Sequence, residues 1–210
     1  RIVAAHVEAD VLTAARINAP SLRNIAYPEI HPVNLTATVN TNPALAVYRE
    51  YGPRVQASEE VGIDVSTGTL TVDTCQGAIW FQDKFDPAPL GPNITITATS
   101  TITTVVGAWV LGTLSFSQTL PAGVYAVIGF AGYGTNGLYA RLVFPGNNTF
   151  RPGVVIGNTY DDYNVFPRWR SGDMGLFGTF VNTSQPQVEV MSTAAASTAH
   201  NFLVDLVKIR

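Results

Sequence analysis

The stretch Val124–Ala131, "VYAVIGFA", is apolar on both faces of any strand it forms. Successive side chains of a strand point to opposite sides. Val124, Ala126, Ile128 and Phe130 therefore share one face, and Tyr125, Val127, Gly129 and Ala131 the other. A sheet with one wet side alternates apolar with polar residues. This one does not, so something must cover its second side. The same holds for 105–116, "VVGAWVLGTLSF", and for 174–181, "MGLFGTFV". By contrast, 35–39, 69–73 and 94–99 alternate apolar residues with Thr and keep one face for water.

Strand signals continue through "AIWFQD", "GVVIG", "QVEVMS" and "NFLVDLV". The spacing of about 8–12 residues between them is that of sandwiches and barrels. The Gly134-Thr-Asn-Gly137 sequence predicts a tight hairpin joining the strands on either side of it. No α/β alternation and no internal repeat is present, so the predicted fold class is all-β, a two-sheet β-sandwich with an N-terminal helical or extended arm. The arm covers residues 1–60 and the sandwich 61–210, the two forming one structural unit. Within the arm, Val3, Val7, Val11, Ala14 and Ala15 recur at helical spacing and predict an amphipathic helix over the first eighteen residues. Pro20, Pro28 and Pro32 then force an extended crossing, and Asn42, Pro43 and Gly52 bracket a short helix.

Charged residues make up 13% of the chain against 46% hydrophobic ones, about half the ~25% charge of ordinary globular domains. So little charge leaves the surface to Thr, Asn and Ser, or to neighbouring subunits that hide it. The net charge of −3 and the scatter of Lys and Arg exclude a basic nucleic-acid footprint. The single cysteine, Cys75, excludes an internal disulfide framework. No run approaches the ~18 apolar residues of a membrane helix. The opening residues lack the pattern of a signal peptide, and the sequence starts on Arg1 rather than methionine.

Catalytic patterns are weak, and the expectation is a protein that is not an enzyme and needs no metal or other cofactor. His6, His31 and His200 fall in the arm, the proline-rich crossing and the last strand, outside any nucleophile or zinc frame. Glu29 and His31 have no third ligand spaced to join them. Glu59-Glu60 and Asp161-Asp162 are chain neighbours, which in an extended backbone point apart. Asn34, Asn93, Asn147 and Asn182 begin glycosylation sequons, relevant only to a chain secreted by a glycosylating host. The segment "NTYDDYNVFPRWR" gathers Tyr160, Asp161, Asp162 and Trp169 into a loop suited either to stacking a sugar or binding calcium, or to anchoring on the sandwich. That loop supports the alternative function, an extracellular carbohydrate- or receptor-binding β-sandwich module.

The Gly-punctuated run "LPAGVYAVIGFAGYG…LYARLVFPG…FRPGVVIG…MGLFGTF…PQVEVMS", with the arm and proline-rich crossing before it, resembles virion shell proteins of the jelly-roll type from bacteriophages or similar prokaryotic viruses. The resemblance implies about eight strands in two sheets and self-assembly into a closed capsid shell with copies of itself and other virion proteins. It places the chain in the virion, assembled in the host cytoplasm. The arm carries only Arg1 and Arg16 before the crossing, so it is not expected to bind the genome directly; contact with an internal membrane stays open. On this reading Val3, Val7 and Val11 of the arm and Tyr125 and Val127 of the doubly apolar strand form the subunit interface.

Overall fold

The computed structural model describes residues 1–9, 14–23, 28–30, 33–34, 46–66, 75–134, 137–146, 152–155, 172–192 and 195–210. These are predominantly β-strand, arranged in four sheets whose pairings are antiparallel apart from one short parallel pair. The chain divides into two compact units, Arg1–Phe85 and Asp86–Arg210, whereas the sequence pattern suggested a division between residues 60 and 61.

The first unit contains β1 (Ile2–Ala9), β2 (Ala14–Asn18), β3 (Glu29–Ile30), β4 (Val33–Asn34), β5 (Ala46–Val47), β6 (Gly62–Ser66) and β7 (Cys75–Phe81). The predicted N-terminal helix is not formed; two strands stand in its place. A spacing of four is even, so Val3 and Val7 satisfy the two-residue period of a strand as well as the helical one. The β-branched Ile2, Val3 and Val7 favour the strand. β1 then pairs along its whole length with β7 and meets β4 and β5 on its other edge. β2 lies between β3 and β6. Ile2, Ala5, Val7, Ala15, Ile17, Leu22 and Ile30 close into one apolar core. The predicted helix after Asn42 is likewise absent where the chain is described: Ala46–Val47 is a strand and Arg49–Tyr51 a single 3-10 turn.

A carboxylate clamps the connection between Tyr51 and β6. Glu59 accepts hydrogen bonds from the Ser21 hydroxyl and from the Ser21 and Gln56 backbone N–H groups. The Ser21 hydroxyl is the main reason its pKa lies below the ordinary 4.5.

The second unit contains β8 (Asn93–Thr103), β9 (Val110–Thr113), β10 (Ser115–Phe116), β11 (Val124–Gly134), β12 (Gly137–Val143), β13 (Gly153–Val155), β14 (Gly178–Val181), β15 (Gln187–Ser192) and β16 (Ser197–Lys208). One sheet runs β10-β8-β16-β11-β14 and the other β13-β12-β15-β9. The predicted hairpin at Gly134–Gly137 does not form. β11 pairs with β14 and β16 while β12 pairs with β13 and β15, so the chain changes sheets there. The two sheets face one another. A Cβ placed on Gly178 of β14 would meet the Phe144 ring that follows β12, and one on Gly112 of β9 would meet Ile102 of β8.

The alternation of β8 is realised: Ile96, Ala98, Ser100 and Ile102 are buried while the intervening threonines are exposed. Opposite them on β16 and β11, Phe202 and Phe130 stack with ring centroids 5.1 Å apart, and Tyr125 stacks on Phe180 of β14 at 5.8 Å. The register of β11 against β16 shifts between Val127 and Gly129, which carries Val127 and Phe130 to the same inward side.

The second face of β11 is covered by the chain itself. Ala126 and Ile128, with Val207 of β16, pack against Ala88 and Leu176. The covering segment is pinned by main-chain bonds from Gly172 N–H to the Ile128 carbonyl and from Phe177 N–H to the Val127 carbonyl, both 2.9 Å. Residues 174–177, expected as the first half of a strand, are therefore an irregular lid, and only Gly178–Val181 is strand.

Two outcomes follow from these positions. Val127→Asp puts a carboxylate where no surface reaches water; it should cost about 4 kcal/mol or more and remove soluble folded protein, checked by urea unfolding. Because the Glu59 pKa is depressed on folding, its clamp holds above the unfolded value and is lost as pH falls through the folded one. Glu59→Gln should therefore flatten the fall in thermal midpoint between about pH 5 and 3 relative to the native chain.

Candidate functional site

The clearest surface feature is an apolar corner between β8 and β9. Val105, Val106, Trp109 and Leu111 are 51, 60, 37 and 51% exposed on a span of seven residues. A turn closed by the Ala108 N–H to Val105 carbonyl bond presents the two valines. Gly107 at its tip has φ +67°, a conformation that favours glycine. β9 is the edge strand of its sheet, and among the described residues nothing pairs with its outer edge. Exposed apolar groups clustered beside an unpaired strand edge are the usual mark of an interaction surface.

The face beside this corner is organised by charge. Leu111 of β9, Glu189 of β15 and Arg141 of β12 are register partners across three neighbouring strands. Their chain neighbours Ala140, Leu142, Val188 and Val190 point inward and are fully buried, so these three point outward. Arg141 Nε donates to Glu189 Oε2 at 2.5 Å, and its guanidinium carbon lies 4.0 Å from the centroid of the Trp109 ring. The arginine thus links the indole to the Glu189 carboxylate on the neighbouring strand.

The residues expected to form a subunit interface lie elsewhere. Val3 and Val7 are buried, Val7 within the core of the first unit, and Tyr125 and Val127 are buried inside the second. The Tyr125 hydroxyl donates to the Pro121 carbonyl at 2.8 Å. All four are covered by their own chain, so an interface with a second copy has to use other groups. Val11 and the loop residues Tyr160, Asp161, Asp162 and Trp169 lie outside the described residues. Of the 105–116 segment, expected to be covered on both sides, Val105, Val106, Trp109 and Leu111 are open to water.

The sequence reading missed Arg141 and Glu189. The signal was present: in "YARLV" and "QVEVM" a single charge sits at a period-two position between inward-facing aliphatics. Nothing in the sequence told that the two strands are neighbours.

Elsewhere, Asp64 accepts from Asn18 and from Arg16 at 3.1 and 3.0 Å, and these bonds, Asn18 first, hold its carboxyl below the usual range. Thr95 donates to the buried Asp205 at 2.7 Å. Among the described residues no group of three or more His, Cys, Asp or Glu is placed to hold a metal ion. No described helix is long and apolar enough to cross a membrane. No family model, curated protein or solved structure matches the chain.

Arg141→Ala should release the Trp109 ring. A red shift of tryptophan emission is expected, with a stability loss of about 1 kcal/mol from the ring contact and the half-buried ion pair together.

Proposed function

We propose that this chain is a structural, self-assembling protein of a viral capsid shell. The observation that carries the reading is the strand order of the second unit. Setting aside the two-residue β10, the strands β8, β9, β11, β12, β13, β14, β15 and β16 take ranks one to eight along the chain. One sheet then reads one-eight-three-six and the other five-four-seven-two. That order arises when an antiparallel ribbon pairing first with eighth, second with seventh, third with sixth and fourth with fifth is wrapped into a sandwich. That order supports reading the second unit as a jelly roll, a fold used by shell proteins, lectins and cupins.

Fold alone does not choose among those uses. Two features favour a shell. Charge is half the usual density, which suits a surface largely covered by neighbours. The Val105–Leu111 corner leaves apolar groups open at one end of the sandwich, where a copy of the chain or another virion protein would cover them. The first eighteen residues carry only Arg1 and Arg16, so genome contact falls to another component. The protein is then a virion component, assembled in the host cytoplasm.

Light scattering and sedimentation of the purified full chain, over a range of concentration and salt, test the reading. Discrete large oligomers are expected. The double variant Val106→Asp, Leu111→Asp should reduce them at least tenfold while leaving circular dichroism unchanged. A chain that stays monomeric under every condition, or a double variant that assembles as the native chain does, overturns the proposal.

A further inference from the structure

Among the described residues of the second unit, Ser100, Thr104, Ser192, His200 and Asp205 are the buried polar ones, and two of them meet across one sheet. Ser100 of β8 and His200 of β16 are register partners, and both side chains are buried, His200 completely. Both lie on the inward side, in line with Ala98 and Ile102 on β8 and with Phe202 and Val204 on β16. Ser100 Oγ and His200 Nδ1 have no hydrogen-bond partner, and the ring is otherwise held by Thr198 alone, through its backbone and through its hydroxyl 3.4 Å from Nε2.

The surroundings leave these groups little room to move. His200 is also the register partner of Gly134 on β11, where any Cβ would overlap the imidazole ring. From the facing sheet, a Cβ on Gly112 of β9 would come within 2.8 Å of Ser100 Oγ. Glycines thus stand against the pair from two directions, Gly134 against the imidazole and Gly112 against the Ser100 hydroxyl. A neutral imidazole tolerates this setting at the expense of one orphaned nitrogen. An imidazolium has two N–H donors and a full charge, which the site does not satisfy.

No described charge is placed to offset it. β8 and β9 contain no ionisable residue. On β16, Asp205 points to the opposite face, where Thr95 donates to it, and Lys208 lies eight residues away at the exposed end. On β11, Tyr125 is at the far end of the strand and bonded to Pro121. Glu189 of β15 and Arg141 of β12 face outward and bond each other. Tyr139 shares the outward side of β12 with Arg141.

We propose that the Ser100–His200 pair is an acid-sensitive lock on the second unit: with the imidazole neutral β8, β16 and β11 stay closed, and its protonation loosens them. Burial pushes the His200 pKa below its ordinary 6.5, in the direction the geometry requires. An unfolded chain takes up the proton more readily than the folded one. The stabilisation is therefore complete above about pH 6.5 and drains away as pH falls from there toward the folded value. The device belongs to the single chain and does not depend on shell assembly.

Thermal unfolding of the full chain between pH 7.5 and 5, compared with His200→Gln, reads the lock. Relative to the variant, the native folding constant should fall by up to about tenfold per pH unit below 6.5. Profiles that run parallel overturn the proposal. Proton NMR titration of the native chain supplies a reading that survives a misfolded variant, with His6→Gln and His31→Gln assigning the His200 signal by elimination. His200 should stay neutral at a pH where the histidine of a short unfolded peptide is already protonated; a midpoint at or above 6.5 in the folded protein overturns the lock.

Discussion

The pairing of β16 along both its edges is the constraint on which the second unit depends. Twelve residues long, it is hydrogen-bonded to β8 on one side and β11 on the other, joining strands more than sixty residues apart in sequence. The contacts it makes are among the most non-local in the chain, the kind whose loop-closure entropy must be overcome before any apolar burial is gained. Once it is seated, Phe202, Val204 and Leu206 complete the inner face, and Val207 completes the outer one.

That outer face explains the doubly apolar strand. Burying both sides of β11 needs a third layer, and the chain supplies one from Ala88 and from the irregular residues before β14. Backbone in such a layer still needs hydrogen-bond partners. The lid finds them on the edge of β11, where Val127 and Ile128 accept from Phe177 and Gly172. A strand greasy on both flanks is thus satisfied within one molecule, and the apolar groups left open to water lie elsewhere, four of them at the β8–β9 corner.

The same packing isolates polar groups. In the first unit the clamp on Glu59 and the bonds to Asp64 lie where water screens them, so each contributes modestly. The Ser100–His200 pair lies inside, where no solvent compensates an orphaned nitrogen. Position relative to the sheets, rather than residue type, sets how strongly water screens each of these groups.

Much of the β pattern was legible from residue order, because alternation is a local property set by strand geometry. The wet face of β8 and the position of β15 and β16 follow directly from it. Where a period of four and a period of two coincide, as at Val3 and Val7, local pattern is ambiguous, and pairing with β7 decided for strand. Partner choice lies beyond local pattern altogether. β11 ends at Gly134 in one sheet and β12 begins at Gly137 in the other, because their long-range partners are β16 and β15 rather than each other. Sequence by itself determined an all-β chain, poor in charge, with strands that need cover on both sides. Only tertiary structure decided that the cover comes from the same molecule, that Arg141, Glu189 and Trp109 meet, and that an imidazole is sealed in the core, since each joins segments whose proximity no local interaction encodes.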